Sequence, residues 1–214
     1  MYLGLPTKTS ELTDLNAVRG WFEEQVNLEE EMVLIGHSIG GDLAAYLACH
    51  YVQVKGLLLL DGGFYNMDNI QTLEQELAEA EQFLKETQFD SLEVAIAQEQ
   101  CQASFWSENL DRVVAESLVE RNGKFKLNLE LAIVLNLLRL RRQFQGAIHL
   151  LDGLPVHLYL PDLGEETPEF KKEALDQLPI DVEVTYLSGC GHSMYTDAPH
   201  HVAQVVGLFI RSLE

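Results

Sequence analysis

Residues 32–47 read Met32-Val33-Leu34-Ile35-Gly36-His37-Ser38-Ile39-Gly40-Gly41-Asp42-Leu43-Ala44-Ala45-Tyr46-Leu47, and the rest of the chain takes its place around them. The apolar run ending at Gly36 is too short for a helix and is closed by glycine, which predicts a buried strand. The Ala/Leu-rich run after Gly41 predicts a helix. Ser38 falls on the turn between the two, bracketed by Gly36 and Gly40 as G-x-S-x-G. A turn this sharp holds the serine in strained backbone geometry, and small residues two positions to either side let the chain reverse without collisions. The turn lifts the hydroxyl clear of the sheet. The first N–H groups of the helix then point at whatever the serine attacks, so the N–H of Ile39 is a ready donor to a developing oxyanion. A serine in such a turn can also do no more than cap the helix. The strand before it and the helix after it favour the nucleophile.

Composition narrows the classes of function. The chain has 214 residues, enough for one full core with an inserted cap, and its 47% hydrophobic and 22% charged residues are those of an ordinary soluble globular protein. Lys and Arg number 14 against 34 Asp and Glu, a formal charge of −20 that repels phosphate backbones and anionic membrane surfaces. Nucleic acid and membrane are therefore not expected partners. The N-terminus lacks the basic and apolar regions of a signal peptide, and no apolar run approaches the length that spans a bilayer. Cys49, Cys101 and Cys190 are odd in number and show no metal spacing, so no metal is expected and a reduced, cytoplasmic setting is.

Outward from the serine turn, the chain alternates strand and helix. Met1 to Ser10 reads as a loop, followed by a helix capped by Thr13 or Asp14, with Leu15, Val18, Trp21, Phe22 and Val26 on one face. After the serine helix, Val54 to Leu60 is a second, continuously apolar strand, and two such runs separated by a helix mark a parallel sheet covered on both faces. Asp61-Gly62-Gly63 closes that strand at its C-terminal end, where open α/β sheets gather functional groups. From Phe64 to Ile148 there is no proline and apolar residues recur at helical intervals, which predicts a helical cap over 64–148. Its last helix is expected to run from Leu127 to Phe144 and to be buried nearly all round. Strand character returns at Leu154 to Leu160. It gives way to the loop Pro161 to Glu166, a helix from Thr167-Pro168 to about Leu178, and an alternating edge strand over Asp181 to Leu187. Ser188-Gly189-Cys190-Gly191-His192 follows that strand. A last helix opens at Ala198-Pro199 and carries Val202, Val205, Val206, Phe209 and Ile210 inward. Residues 1–63 and 149–214 form the core in this reading.

A serine at neutral pH needs a base within hydrogen-bond reach, usually a histidine held by a third group. Of seven histidines, His192 alone stands on a glycine-bracketed loop directly after a strand, at the same sheet edge as Ser38. His37 should point away from the serine, and His200 and His201 should be solvated in the first turn of the last helix. Cys190 beside His192 raises cysteine chemistry, but one histidine does little to lower a thiol pKa, and a packing role fits better.

With these residues in view the sequence resembles the α/β-hydrolase superfamily over nearly its whole length. Met32 to Tyr51 is similar to that family's nucleophile strand, elbow and following helix. Gly189 to His192, with Asp197-Ala198-Pro199 after it, is similar to its histidine loop and closing helix. The resemblance implies an α/β fold with a mostly parallel sheet flanked by helices, N-terminally short, with a helical cap inserted between two strands. It implies Ser38 as nucleophile, His192 as base and Ile39 as oxyanion donor, with no cofactor. The run Leu3 to Ser10 looks like the loop that leads toward the nucleophile strand in the family.

Two departures shape the expectation. The family's acid usually follows the strand that is Val156 to Leu160 here, and the nearest fit is Gly164, with Asp162, Glu165 and Glu166 flanking it. Some members place the acid after the strand next to the nucleophile strand, and there this chain has Asp61; Asp162 and Glu165 stand as alternatives. The chain also begins where the family is already halfway through, which puts the strand over 32–36 at a sheet edge. An apolar edge invites cover, from a second copy in a homodimer, a partner segment, the N-terminal segment or missing chain. The expected function is a serine hydrolase acting on a small-molecule acyl substrate, an ester, thioester or amide, through an acyl-enzyme on Ser38. The alternative is a catalytically impaired binding or assembly module of the same fold.

Overall fold

The computed structural model describes residues 12–213, so the expected loop over Met1 to Ser10, and with it Leu3 to Ser10, lies outside the described residues. In chain order the elements are α1 (Leu15–Gln25), β1 (Met32–His37), α2 (Ile39–Ala48), β2 (Val54–Leu60), α3 (Leu73–Glu86), β3 (Gln88–Phe89), α4 (Leu92–Gln102) and α5 (Glu108–Ser117). There follow β4 (Leu118–Arg121), β5 (Lys124–Leu127), α6 (Leu131–Phe144), β6 (Val156–Pro161), α7 (Glu169–Asp176), β7 (Val182–Leu187), α8 (Met194–Asp197) and α9 (Pro199–Ser212). Of the two cap residues expected for α1, Asp14 is the one that accepts from the N–H groups of Asn16 and Ala17.

β1, β2, β6 and β7 form one parallel sheet in that order. Successive residues of β2 point to opposite faces. Leu57 and Leu59 enter the core shared with α1, α2 and α6, while Leu58 packs beneath Val202, Val205 and Phe209 of α9. Both faces are thus covered, which is why the strand is a continuous run of leucine. The serine strand β1 is the outer strand of this sheet among the described residues, and Ile35 is 45% exposed there. On α9, Ile210 is exposed rather than inward.

The insertion between β2 and β6 differs from the all-helical expectation. Besides α3 to α6 it carries a three-stranded antiparallel sheet, ordered β3-β5-β4, with Phe89, Ala95 and Leu118 as a small core of its own. The reason is Asn122-Gly123, both at positive φ, which make a two-residue hairpin turn that sets Arg121 opposite Lys124. Leu127 ends a strand instead of opening a helix, and α6 buries a single face, through Ile133, Leu137, Leu140, Arg141 and Phe144. Buried charges tie α6 both to the sheet side of the molecule and to α3 within the insertion. Arg141 Nε donates to Asp42 Oδ2 of α2 at 2.9 Å, and Arg142 reaches Glu76 of α3 at 2.6 Å. Burial pushes the Asp42 carboxyl up to about 6, with Arg141 pulling it back.

Candidate active site

β1 delivers Ser38 at φ 53° and ψ −127°, a region that L residues rarely occupy. The strain is held by packing. A side chain on Gly36 would run into the Gly40 carbonyl, and one on Gly62 into the Ser38 backbone. Gly40 itself has open space beside it, so the room is needed at Gly36 and at Gly41, just past the G-x-S-x-G turn, rather than at Gly40. Ile39 is the first residue of α2, where a backbone N–H has no acceptor within the helix.

Asp61 follows β2 and is the second strained residue, at φ 45°. Apart from Asn122 in the hairpin turn, Ser38 and Asp61 are the only non-glycine residues at positive φ among those described, and they lie on neighbouring strand ends. His192 comes to the same edge on the loop after β7. Its Nε2 stands 3.0 Å from Ser38 Oγ, and its Nδ1 stands 2.7 Å from Asp61 Oδ2. A carboxylate can only accept here, so Nδ1 carries the hydrogen, and Nε2 of the neutral ring is left to accept from the serine. Residues 38, 61 and 192, far apart in sequence, thus form one hydrogen-bonded chain.

Asp61 is completely buried and would resist ionisation on that account. Burial does push against its charge, but hydrogen bonds from His192 and Lys171, with the charge of Lys171, outweigh it and hold its carboxyl below the usual range. Lys171 of α7 is the residue that sequence reasoning missed. Its Nζ lies 2.6 Å from Asp61 Oδ1, with the side chain only 12% exposed. The neighbouring Lys172 makes an ordinary exposed pair with Glu169, and nothing in the sequence distinguishes the two.

Asp162 and Glu165 are both exposed. Asp162 accepts from Ser188 Oγ at 3.2 Å, and Glu165 sits in a short 3-10 turn over Gly164–Glu166; the His192 ring goes to Asp61. His37 does not point into solvent. Its Nε2 donates to the His192 carbonyl at 2.7 Å, and its ring lies 4.7 Å from that of His192 and 4.9 Å, edge-on, from that of Tyr195. Burial lowers its pKa, so it ties the histidine loop to β1 as a neutral ring. His200 and His201 are exposed on α9. Cys190 is buried, its thiol pushed up by burial and bonded to the Leu187 carbonyl, which leaves it no role as a nucleophile.

A cleft of about 480 Å³ opens against His192. The insertion supplies its apolar wall, including Phe83, Phe89, Trp106 and Val113, and Tyr195 and Thr196 face them from the sheet side. Glu99 and Asp197 also line it, with no lysine or arginine among the described lining residues. The arrangement can activate a hydroxyl nucleophile beside an apolar recess. No group of described side chains has the composition of a metal site.

The family model described as the BAAT/acyl-CoA thioester hydrolase C-terminal region matches residues 17–122, which hold the serine elbow and Asp61 but not His192. No curated protein sequence matches the chain. Among solved structures, E-2-(acetamidomethylene)succinate hydrolase superposes with a TM-score of 0.69 at 16% identity, over 95% of this chain and 76% of that one. The thioesterase domain from the curacin biosynthetic pathway gives 0.65 at 18%, over 94% and 72%. A thermophilic esterase from Thermogutta terrifontis gives 0.61 at 16%, over 91% and 70%. At such identities the likeness speaks for the fold. No described helix is long and apolar enough to cross a membrane.

Proposed function

We propose that this chain, whose fold is that of the hydrolases it superposes on, is a serine hydrolase that cleaves a small, partly apolar carboxylic ester or thioester through an acyl-enzyme on Ser38. The observation that carries the reading is the unbroken chain from Ser38 Oγ through His192 to Asp61, at 3.0 and 2.7 Å. Ser38 Oγ attacks the carbonyl carbon while His192 Nε2 takes its proton. Asp61 holds the ring in the right tautomer and stabilises the imidazolium. The N–H of Ile39 faces the oxyanion. The imidazolium then protonates the leaving group, and water, activated by the same nitrogen, releases the acid and regenerates the serine.

The segment over 64–148 acts in this reading as a cap whose apolar wall receives the acyl chain. Glu99 and Asp197 favour a neutral leaving group over a polyanionic one. Three unpaired cysteines suit a reduced, cytoplasmic setting. The test is hydrolysis of one acyl group presented as a p-nitrophenyl ester, as a neutral N-acetylcysteamine thioester and as a coenzyme A thioester. We expect turnover that disappears in Ser38→Ala, with the neutral thioester preferred to the coenzyme A thioester at low ionic strength. Turnover equal in wild type and Ser38→Ala would refute the mechanism.

A further inference from the structure

The two oxygens of Asp61 have separate partners. Oδ2 meets His192 Nδ1 at 2.7 Å, and Oδ1 meets Lys171 Nζ at 2.6 Å. Asp61 is fully buried and the Lys171 side chain nearly so, which makes this a desolvated ion pair rather than a surface one. α7 is held in place independently of that pair, because Phe170 packs edge-on against Tyr65 at 5.3 Å. We propose, resting on the serine-hydrolase reading above, that Lys171 is a positioning residue. Its ammonium shares the charge of Asp61, and this keeps the His192 imidazole in its neutral, proton-accepting form at pH values where an unshared carboxylate would hold it protonated.

The physical argument is one of net charge. With Lys171 present, the Asp61–Lys171 pair is neutral, and an imidazolium formed beside it meets an ammonium on the far side of the carboxylate. Without Lys171, the imidazolium faces an undivided negative charge. At the effective dielectric of partly buried sites, unit charges a few ångströms apart change a protonation equilibrium by roughly tenfold to a hundredfold.

The other titratable groups around His192 act in the opposite sense or are neutral. Asp197 of α8 accepts from the Gly191 N–H at 2.9 Å, and Glu99 of α4 lines the same cleft. Both carboxylates favour the imidazolium. His37 of β1 and the Cys190 thiol are kept neutral by burial, and Tyr195 of α8 touches the His37 ring. Lys171 is the cation that opposes this acidic surround.

The experiment is the second-order rate at which a fluorophosphonate labels Ser38, measured against pH in the wild type, Lys171→Met and Lys171→Arg. Thermal melts show that each variant is folded, and where Lys171→Met melts too low, Lys171→Gln replaces it. The acid limb of the profile is expected to move toward neutral pH by about one unit in Lys171→Met, and to return to its wild-type place in Lys171→Arg. A limb that superposes on the wild type would overturn the proposal and leave Lys171 as packing. So would a uniform loss at every pH, which would make it only a clamp. If the wild type is not labelled at any pH, the hydrolase reading itself fails and this inference with it; labelling of the wild type with an unmoved limb refutes this inference alone.

Discussion

Replacing Asp61 with asparagine tests the assignment of the acid more sharply than removing it. The carboxylate accepts from His192 on one oxygen and from Lys171 on the other. Asparagine has a single acceptor oxygen, and the charged ammonium is the stronger donor, so the amide oxygen turns to Lys171 and the NH₂ faces His192 Nδ1. The imidazole must then present Nδ1 as an acceptor and carry its hydrogen on Nε2, where it can no longer take the proton of Ser38. Loss of the working tautomer in a serine triad costs about 10⁴-fold in kcat, which corresponds to about 5 kcal/mol of barrier. Ester hydrolysis by Asp61→Asn should therefore fall by that order while the protein stays folded. Asp162→Asn and Glu165→Gln, which alter exposed side chains, should stay within about twofold of wild type. Asp61→Asn within tenfold of wild type, together with a large loss in Asp162→Asn or Glu165→Gln, would refute the assignment and return the acid to the loop after β6.

Arg141→Met removes the partner of the buried Asp42 and should destabilise the protein by about 3–5 kcal/mol at pH 8. Because the folded-state pKa of Asp42 is raised to about 6, its contribution is fully present below the unfolded value and is lost as pH rises through the folded one. Urea midpoints should therefore show a smaller loss at pH 5 than at pH 8, and an equal loss at both would count against this reading. Trp106→Ala opens the apolar wall of the cleft. An octanoyl chain has four more methylenes than a butyryl one, each worth about 0.8 kcal/mol when buried, so losing the wall against about two of them should drop the ratio of kcat/KM for the octanoyl over the butyryl ester by roughly tenfold; an unchanged ratio would place the acyl chain elsewhere.

The parts of the site that sequence made legible are those fixed by local chain geometry. Ser38 stands out because a short apolar run, a glycine turn and an Ala/Leu helix must meet there, and His192 because a glycine-bracketed loop directly follows a strand. Asp61 was legible as a residue closing β2, but its pairing with His192 depends on how β2 and β7 are ordered in the sheet, which no local pattern carries. Lys171 was not legible at all, since Glu169-Phe170-Lys171-Lys172-Glu173 has the charge pattern of a solvated helix and only the tertiary packing of α7 turns one lysine inward. The hairpin at Asn122-Gly123 is different. Asn-Gly is a hairpin signal in its own right, set here between residues spaced at helical intervals. The salt bridge between Asp42 and Arg141 joins α2 to α6 across the fold and leaves no trace in sequence spacing.

A Ser38 hydroxyl made nucleophilic by His192 and Asp61 must react with a fluorophosphonate. Intact mass and peptide mapping after such treatment decide whether it does. A single adduct is expected on the peptide that contains Ser38, with none in Ser38→Ala and labelling slowed by orders of magnitude in His192→Ala. A folded wild-type protein that takes up no adduct, or an adduct that persists in Ser38→Ala, would rule out Ser38 as the nucleophile.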